Sequence, residues 1–166
     1  MYFTGPPIER FDLGTAAFIP LMQGIVMFVY SVLDNSDGKQ ARKIQASSPL
    51  GLMMDHGCDI LNTGIATITL TRIVSLGNNW MFPIVMIGTL GAFFFATLEE
   101  YFVGGLFLPI INGVNEGLML VIAICIGTFF APQNWWNTNS FISGFTWNDL
   151  LFWFLTIGAV GTIIMK

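Results

Sequence analysis

Four aspartates are the residues most able to do chemistry in this sequence. Asp34 and Asp37 stand three apart and Asp55 and Asp59 four apart, in a stretch that also holds Lys39, Arg42, Lys43 and the only histidine, His56. On a helix, residues three or four apart share a face, so each pair presents two carboxylates side by side. If the two helices run antiparallel, all four converge. Carboxylates that close cannot all stay ionised without cations between them. Oxygen-only ligands select hard divalent ions, so Mg²⁺ or Mn²⁺ is the expected filling of a site built from Asp34, Asp37, Asp55 and Asp59. Two such ions sharing carboxylates suit phosphoryl transfer, where they stabilise the attacking and leaving oxygens. Gly38 and Gly51 leave room beside the carboxylates for a substrate. Arg42 offers a planar fork for phosphate oxygens.

The elements that must hold these groups are read from hydropathy. Of 166 residues only 10% are charged and 54% are apolar, with sixteen phenylalanines and a mean hydropathy of +0.72. Soluble domains are about 25% charged and under half apolar. A bilayer is the solvent that tolerates such a surface. The expected class is therefore an all-α integral membrane protein, a polytopic helix bundle. Membrane-length runs fall at 16–33, 60–76, 80–98, 117–131 (extended backwards through Glu116) and 150–166. A turn of about a dozen residues, ending at Ser47-Ser48-Pro49, is expected to join the first two. The segment YFVGGLFLPIINGVNEG is too broken to cross and reads as a helix end with a re-entrant or interfacial piece. The first residues, with their Pro-Pro break, read as a polar loop rather than a signal peptide.

The four acids in the charged stretch, out of ten in all, make the net charge of −4 a property of a site more than of a surface. No basic patch for nucleic acid is present. Cys58 and Cys125 read as free thiols in apolar surroundings. Lys39, Arg42 and Lys43 cluster in one short segment, which the positive-inside rule places in the cytosol. The active site is then expected at the cytosolic membrane edge.

Taken together, Asp34, Asp37, Gly38, Ala41, Arg42, Gly51, Asp55 and Asp59 spell D-x2-D-G-x2-A-R-x8-G-x3-D-x3-D. In this pattern the sequence resembles the CDP-alcohol phosphotransferases. "DGKQAR" and "PLG..MDHGCD..NT" are similar to the eukaryotic choline/ethanolamine phosphotransferase branch, and "EEYFVGGLFLPIINGVNEG" resembles its ethanolaminephosphotransferase side. The resemblance covers most of the chain from about Ala16. It implies a donor, CDP-ethanolamine or CDP-choline, taken from the cytosol, and an acceptor, diacylglycerol, taken from the bilayer. The diacylglycerol hydroxyl attacks the phosphorus bearing the amino alcohol, and CMP leaves. The resemblance further implies that the four aspartates hold the metals and the nucleotide diphosphate, that Gly38, Ala41, Arg42 and Gly51 line the CDP-alcohol site, and that Asp59 fills the slot often assigned as general base. An endoplasmic reticulum or Golgi membrane also follows from it; the sequence leaves the oligomeric state open, a homodimer being one possibility. Family members are more than twice this long, with a further amphipathic segment and membrane helix before the first span, so the chain reads as part of such an enzyme.

The branch also places a histidine after the third aspartate, here His56. An ordinary imidazole pKa of about 6.5 suits a proton acceptor near neutral pH. Glu116, an isolated acid at the head of an apolar helix, matches a glutamate of the branch, and a His56–Glu116 dyad is expected. Proton uptake by Asp59 alone is the alternative, and the two are compatible, since Asp59 can ligate metal while His56 takes the proton. Glu99 and Glu100 read as an interfacial boundary. The competing functions are another CDP-alcohol transferase, using inositol or glycerol phosphate, and an inactive truncated membrane protein.

Overall fold

A computed structural model describes residues 13–45, 48–77, 80–103, 113–132 and 135–165. Among the described residues five α-helices run in order, α1 (Leu13–Lys43), α2 (Pro49–Ile73), α3 (Met81–Val103), α4 (Gly113–Phe130) and α5 (Trp147–Met165), with a 3-10 turn at Trp135–Asn137. Among the described residues the only extended pairing is an isolated bridge between Asn139 and Thr146. The loop expected at the start of the chain, and the centre of the re-entrant segment (104–112), lie outside the described residues.

The dozen-residue turn expected after the first span is not there. α1 continues unbroken through Asp34, Asp37 and Arg42, for 31 residues. At 1.5 Å per residue it is about 46 Å long, against a hydrocarbon core of about 30 Å. Local chemistry explains the extension. Asn35 and Ser36, which usually compete with helical hydrogen bonds, donate instead to the carbonyls of Ser31 (2.8 Å) and Val32 (2.6 Å) one turn back. Lys39, Gln40, Ala41 and Arg42 are good helix formers, and Arg42 and Lys43 in the last turn suit the negative end of the helix dipole. The chain then reverses at Gln45, whose φ is +54°. Ser48 caps α2 by accepting from the Gly51 N–H at 3.1 Å, with Pro49 in the first turn. So short a connection forces α1 and α2 to run antiparallel.

The remaining helices pack through small residues, as membrane helices do. α1 and α4 are antiparallel: Phe18 meets Phe129 with ring centroids 5.9 Å apart, and a Cβ on Gly24 would come within 3.0 Å of Ile126 Cγ1. α2 and α3 are joined by the Thr67 and Thr89 hydroxyls at 3.3 Å. α3 and α5 run parallel, Trp80 lying against Phe152 and Gly88 against Ala159, where a Cβ would meet Ala159 Cβ at 3.2 Å. Three stretches, Phe18–Lys43, Met81–Phe102 and Trp147–Ile164, are long and apolar enough to cross a membrane, and Gly117–Phe130 is a shorter apolar helix. Large apolar side chains such as Phe28, Ile87, Phe154 and Ile164 face outward, which only a lipid solvent makes favourable. The chain is an all-α membrane protein.

Its two ends differ. At one end Leu70, Val74, Leu76, Val85, Cys125, Trp136 and Phe152 form the tightest core. There Trp136 Nε1–H donates to Thr128 Oγ1 at 3.2 Å, and Trp135 stacks on Trp147 at 5.0 Å. The other end, where α1 and α3 finish and α2 and α4 begin, carries Asp34, Asp37, Asp55, Asp59, Glu99 and Glu100.

Candidate active site

Helix periodicity and the tight α1–α2 reversal build the site. Tyr30 and Asp34 are one turn apart on α1; Asp55 and Asp59 are one turn apart on α2. The antiparallel register sets Tyr30 opposite Asp59, and the Tyr30 hydroxyl donates to Asp59 Oδ1 at 2.6 Å. One turn further out, Asp34 joins them: Asp34, Asp55 and Asp59 each bring a carboxylate oxygen to within 4.8 Å of the others. The sequence reading did not include Tyr30. Its signal was present, four residues before Asp34.

Crowding leaves its mark on the carboxyls. Burial, then the neighbouring charges of Asp59 and Asp37, pushes Asp55 above the usual carboxylate range. Asp37 stands one turn beyond Asp34, exposed and outside the three-oxygen cluster, although its charge reaches Asp55.

The donor set fits a hard cation. Oxygens on opposite sides of a Mg²⁺-like ion, each bonded at about 2.0–2.1 Å, stand roughly 4.2 Å apart. A cluster within 4.8 Å is therefore close to the size such an ion needs. All its ligand atoms are oxygens, and its partial exposure leaves coordination positions for water or phosphate.

Beyond the cluster α1 offers an open face. A Cβ on Gly38 would meet nothing within 4 Å. Ala41 is half-buried and Arg42 exposed, and Arg42 makes no ion pair among the described residues. Arg42 lies eight residues past Asp34, about 12 Å along the helix axis. Gly51 has a different environment: its Cβ would press on Ser48 Oγ at 3.3 Å, so its missing side chain serves the α2 cap.

The His56 side chain meets α3. Its Nε2 lies 3.3 Å from Glu100 Oε2, and its ring stands edge-on to Phe93 at 6.3 Å. Phe93 and Glu100 are seven residues apart, two turns on one stripe of α3, and that spacing was the available signal for Glu100. Glu116 belongs to the first turn of α4, and the α1–α4 register brings this turn to the level of the site. The expected Glu116 partnership with His56 rests on a side chain outside the described residues. The acid that meets His56 here is Glu100.

Similarity to known proteins agrees with this geometry. A profile of the family described as CDP-alcohol phosphatidyltransferase matches residues 16–164. The chain is 36% identical over 160 residues to the uncharacterized CDP-alcohol phosphatidyltransferase class-I family protein 1 of Dictyostelium discoideum, covering 96% of this chain and 42% of that protein. It is 35% identical over 129 residues to choline/ethanolaminephosphotransferase 2 of Arabidopsis thaliana, covering 76% and 32%. It is 34% identical over 131 residues to the CDP-diacylglycerol–serine O-phosphatidyltransferase of Encephalitozoon cuniculi, covering 79% and 34%. The chain thus spans between about a third and two-fifths of the length of these relatives. No solved structure is significantly similar to it. With the profile matched over nearly its whole length and the acidic motif assembled across two helices, the chain belongs to the CDP-alcohol phosphatidyltransferase family.

Proposed function

We propose that this chain carries the catalytic centre of an aminoalcohol phosphotransferase of phospholipid synthesis. It would transfer phosphoethanolamine or phosphocholine from the CDP-alcohol to diacylglycerol, giving phosphatidylethanolamine or phosphatidylcholine and CMP. The observation that carries this reading is the convergence of Asp34, Asp55 and Asp59 from two helices within 4.8 Å, with His56 beside them on α2.

Asp34, Asp55 and Asp59 would hold Mg²⁺ or Mn²⁺, with Asp37 supplying a further carboxylate toward a second ion or its waters. The bound metal supplies charge neutralisation for the diphosphate and for the departing CMP. The open face at Gly38 and Ala41 leaves room for the nucleotide, and Arg42 is placed to meet phosphate oxygens. The diacylglycerol hydroxyl oxygen forms the new bond to the phosphorus bearing the amino alcohol, and the bond from that phosphorus to the CMP oxygen breaks. The hydroxyl proton passes to His56. With Nε2 turned toward Glu100, Nδ1 is the atom left to receive it, and the Glu100 carboxylate favours the imidazolium that results. The positive cluster Lys39, Arg42 and Lys43 supports a cytosolic position for this end, in an endoplasmic reticulum or Golgi membrane.

A second reading has one specific observation behind it, the similarity to a relative named for serine transfer. There the donor is CDP-diacylglycerol and the acceptor serine. Membranes lacking endogenous activity, containing the expressed protein, separate the two. One arm receives diacylglycerol with labelled CDP-ethanolamine or CDP-choline, the other CDP-diacylglycerol with labelled serine, each with Mn²⁺ or with EDTA. Metal-dependent product is expected in the first arm alone. Product only in the serine arm overturns the donor assignment, and none in either arm overturns the enzymatic reading.

A further inference from the structure

We propose that Tyr30 is a positioning residue of the metal centre, fixing the carboxylate of Asp59 from across the α1–α2 seam. This inference rests on the reading of Asp34, Asp55 and Asp59 as metal ligands.

The argument begins with placement. α1 enters the acidic end from the apolar interior, so Tyr30 lies one turn deeper than Asp34. α2 leaves that end for the interior, so Asp59 lies one turn deeper than Asp55. Tyr30 and Asp59 are thus the inner pair of a four-residue rectangle, and Asp34 and Asp55 the outer pair. The inner pair is closed by the hydrogen bond at 2.6 Å from the Tyr30 hydroxyl to Asp59 Oδ1. Tyr30 is half-buried, while Val29 beside it and Leu33 are exposed apolar residues. The phenol is therefore the polar group at the boundary between the carboxylates and the apolar length of α1.

An aspartate carboxylate is free to turn about χ2, because a terminal sp³–sp² torsion has a broad energy profile. From α1, the Tyr30 hydroxyl holds Asp59 by a hydrogen bond to Oδ1. Holding Oδ1 fixes the plane of the carboxylate and leaves its other oxygen free for a cation. Ligand preorganisation by outer groups of this kind is worth about 10- to 100-fold in metal affinity. The bond also joins residues 29 positions apart on two helices, so it sets the α1–α2 spacing at the depth where the ligands must meet.

The test uses Tyr30→Phe, which removes one oxygen and keeps the ring that fills the seam. Mn²⁺ binding to the purified protein in lipid nanodiscs is read by electron paramagnetic resonance, with no nucleotide or lipid acceptor. Thermal unfolding is followed in EDTA and in saturating Mn²⁺. Tyr30→Phe is expected to bind Mn²⁺ at least about tenfold more weakly than wild type and to gain correspondingly less in unfolding temperature when Mn²⁺ is added. A purely structural tyrosine would lower the unfolding temperature equally in EDTA and in Mn²⁺ and leave the affinity unchanged, and that result overturns the proposal. If Tyr30→Phe does not fold, Tyr30→His, which keeps a ring donor, is expected to recover folding and to bind Mn²⁺ more weakly than wild type. Affinity equal to wild type in that variant at a lost Asp59 contact, checked by structure determination, also overturns it. Wild-type protein that binds no Mn²⁺ refutes the metal centre itself, an outcome distinct from equal binding by wild type and Tyr30→Phe.

Discussion

Replacing Asp55 by Asn should stabilise the protein without metal and forfeit most of the stabilisation that metal brings. Asp34, Asp55 and Asp59 have carboxylate oxygens within 4.8 Å of one another. Two unit charges at that separation repel by about 1 kcal/mol at the dielectric constant of water and about 3.5 kcal/mol at an effective value of 20. The site is partly exposed, which favours the lower part of that range, about 1–2 kcal/mol per pair. Asp55→Asn removes two such pairs while keeping shape and hydrogen-bonding capacity. In EDTA the variant should therefore be more stable than wild type by about 2–4 kcal/mol, or at least about 4 °C in unfolding temperature for a chain of this size. In saturating Mn²⁺ most of that advantage should disappear. A ligand present at 100 times its dissociation constant stabilises wild type by about 2.7 kcal/mol, and a variant missing one of three carboxylates forgoes most of that.

The pH dependence follows with the same sign. Burial, then the charges of Asp59 and Asp37, raises the Asp55 carboxyl above its ordinary range. A raised folded-state pKa contributes stability below the unfolded-state value that is lost as pH rises through the folded-state value. Metal-free wild type should thus lose stability as pH climbs from the acid side through the raised range, and Asp55→Asn should flatten that slope. The assay is thermal unfolding in nanodiscs across pH, in EDTA and in Mn²⁺. Equal unfolding temperatures for wild type and Asp55→Asn in EDTA, together with equal gains on adding Mn²⁺, would show that the carboxylates do not act as one site.

Two further perturbations probe the chemistry and the scaffold. His56→Ala should lower turnover by about 10²–10⁴-fold, the range for a lost general base, while equilibrium binding of the CDP-alcohol stays within about twofold; turnover near wild type would remove His56 from the mechanism. Gly88→Val should destabilise the α3–α5 contact by about 1–3 kcal/mol, the usual cost of overpacking, because even its Cβ would stand 3.2 Å from Ala159 Cβ; an unchanged unfolding temperature would mean that the two helices separate freely there.

Composition made the solvent legible: a chain with 10% charged residues and sixteen phenylalanines needs a bilayer, and the structure is helical throughout its long elements. Spacing made the carboxylate pairs legible, because a three- or four-residue interval already fixes a shared helix face. The end of α1 was not legible by the same means. A hydropathy scan stops at Leu33, where polarity begins, whereas the helix stops at Lys43, where the favourable residues and the back-bonded Asn35 and Ser36 run out. Hydropathy reports the solvent around a helix and not its hydrogen bonds. The partners of the site were legible only as spacing on their own helices, and their pairing was not. Tyr30 and Glu100 reach Asp59 and His56 from other helices, and a local motif holds no record of what packs across from it.

That cross-helix construction connects the site to the architecture. α1 lies chiefly against α4 and α2 chiefly against α3, with thinner contact between α1 and α2. Away from the acidic end, the α1–α2–α4 contact is a small cluster of Met27, Ala66 and Ile122 with Leu118 beside it. The larger core sits at the tryptophan end and contains no α1 residue among its buried members. The three carboxylates therefore span a thinner seam than those between α1 and α4 or between α2 and α3, and their mutual repulsion pushes on that seam. At the acidic end Tyr30 bridges it through Asp59, and a bound cation would close it more strongly by turning repulsion between α1 and α2 into shared ligation. Metal binding and helix docking are then one event, and substitutions in the apolar α1–α4 interface, such as a side chain at Gly24, where a Cβ already meets Ile126 at 3.0 Å, should act on metal affinity from a distance by tilting α1.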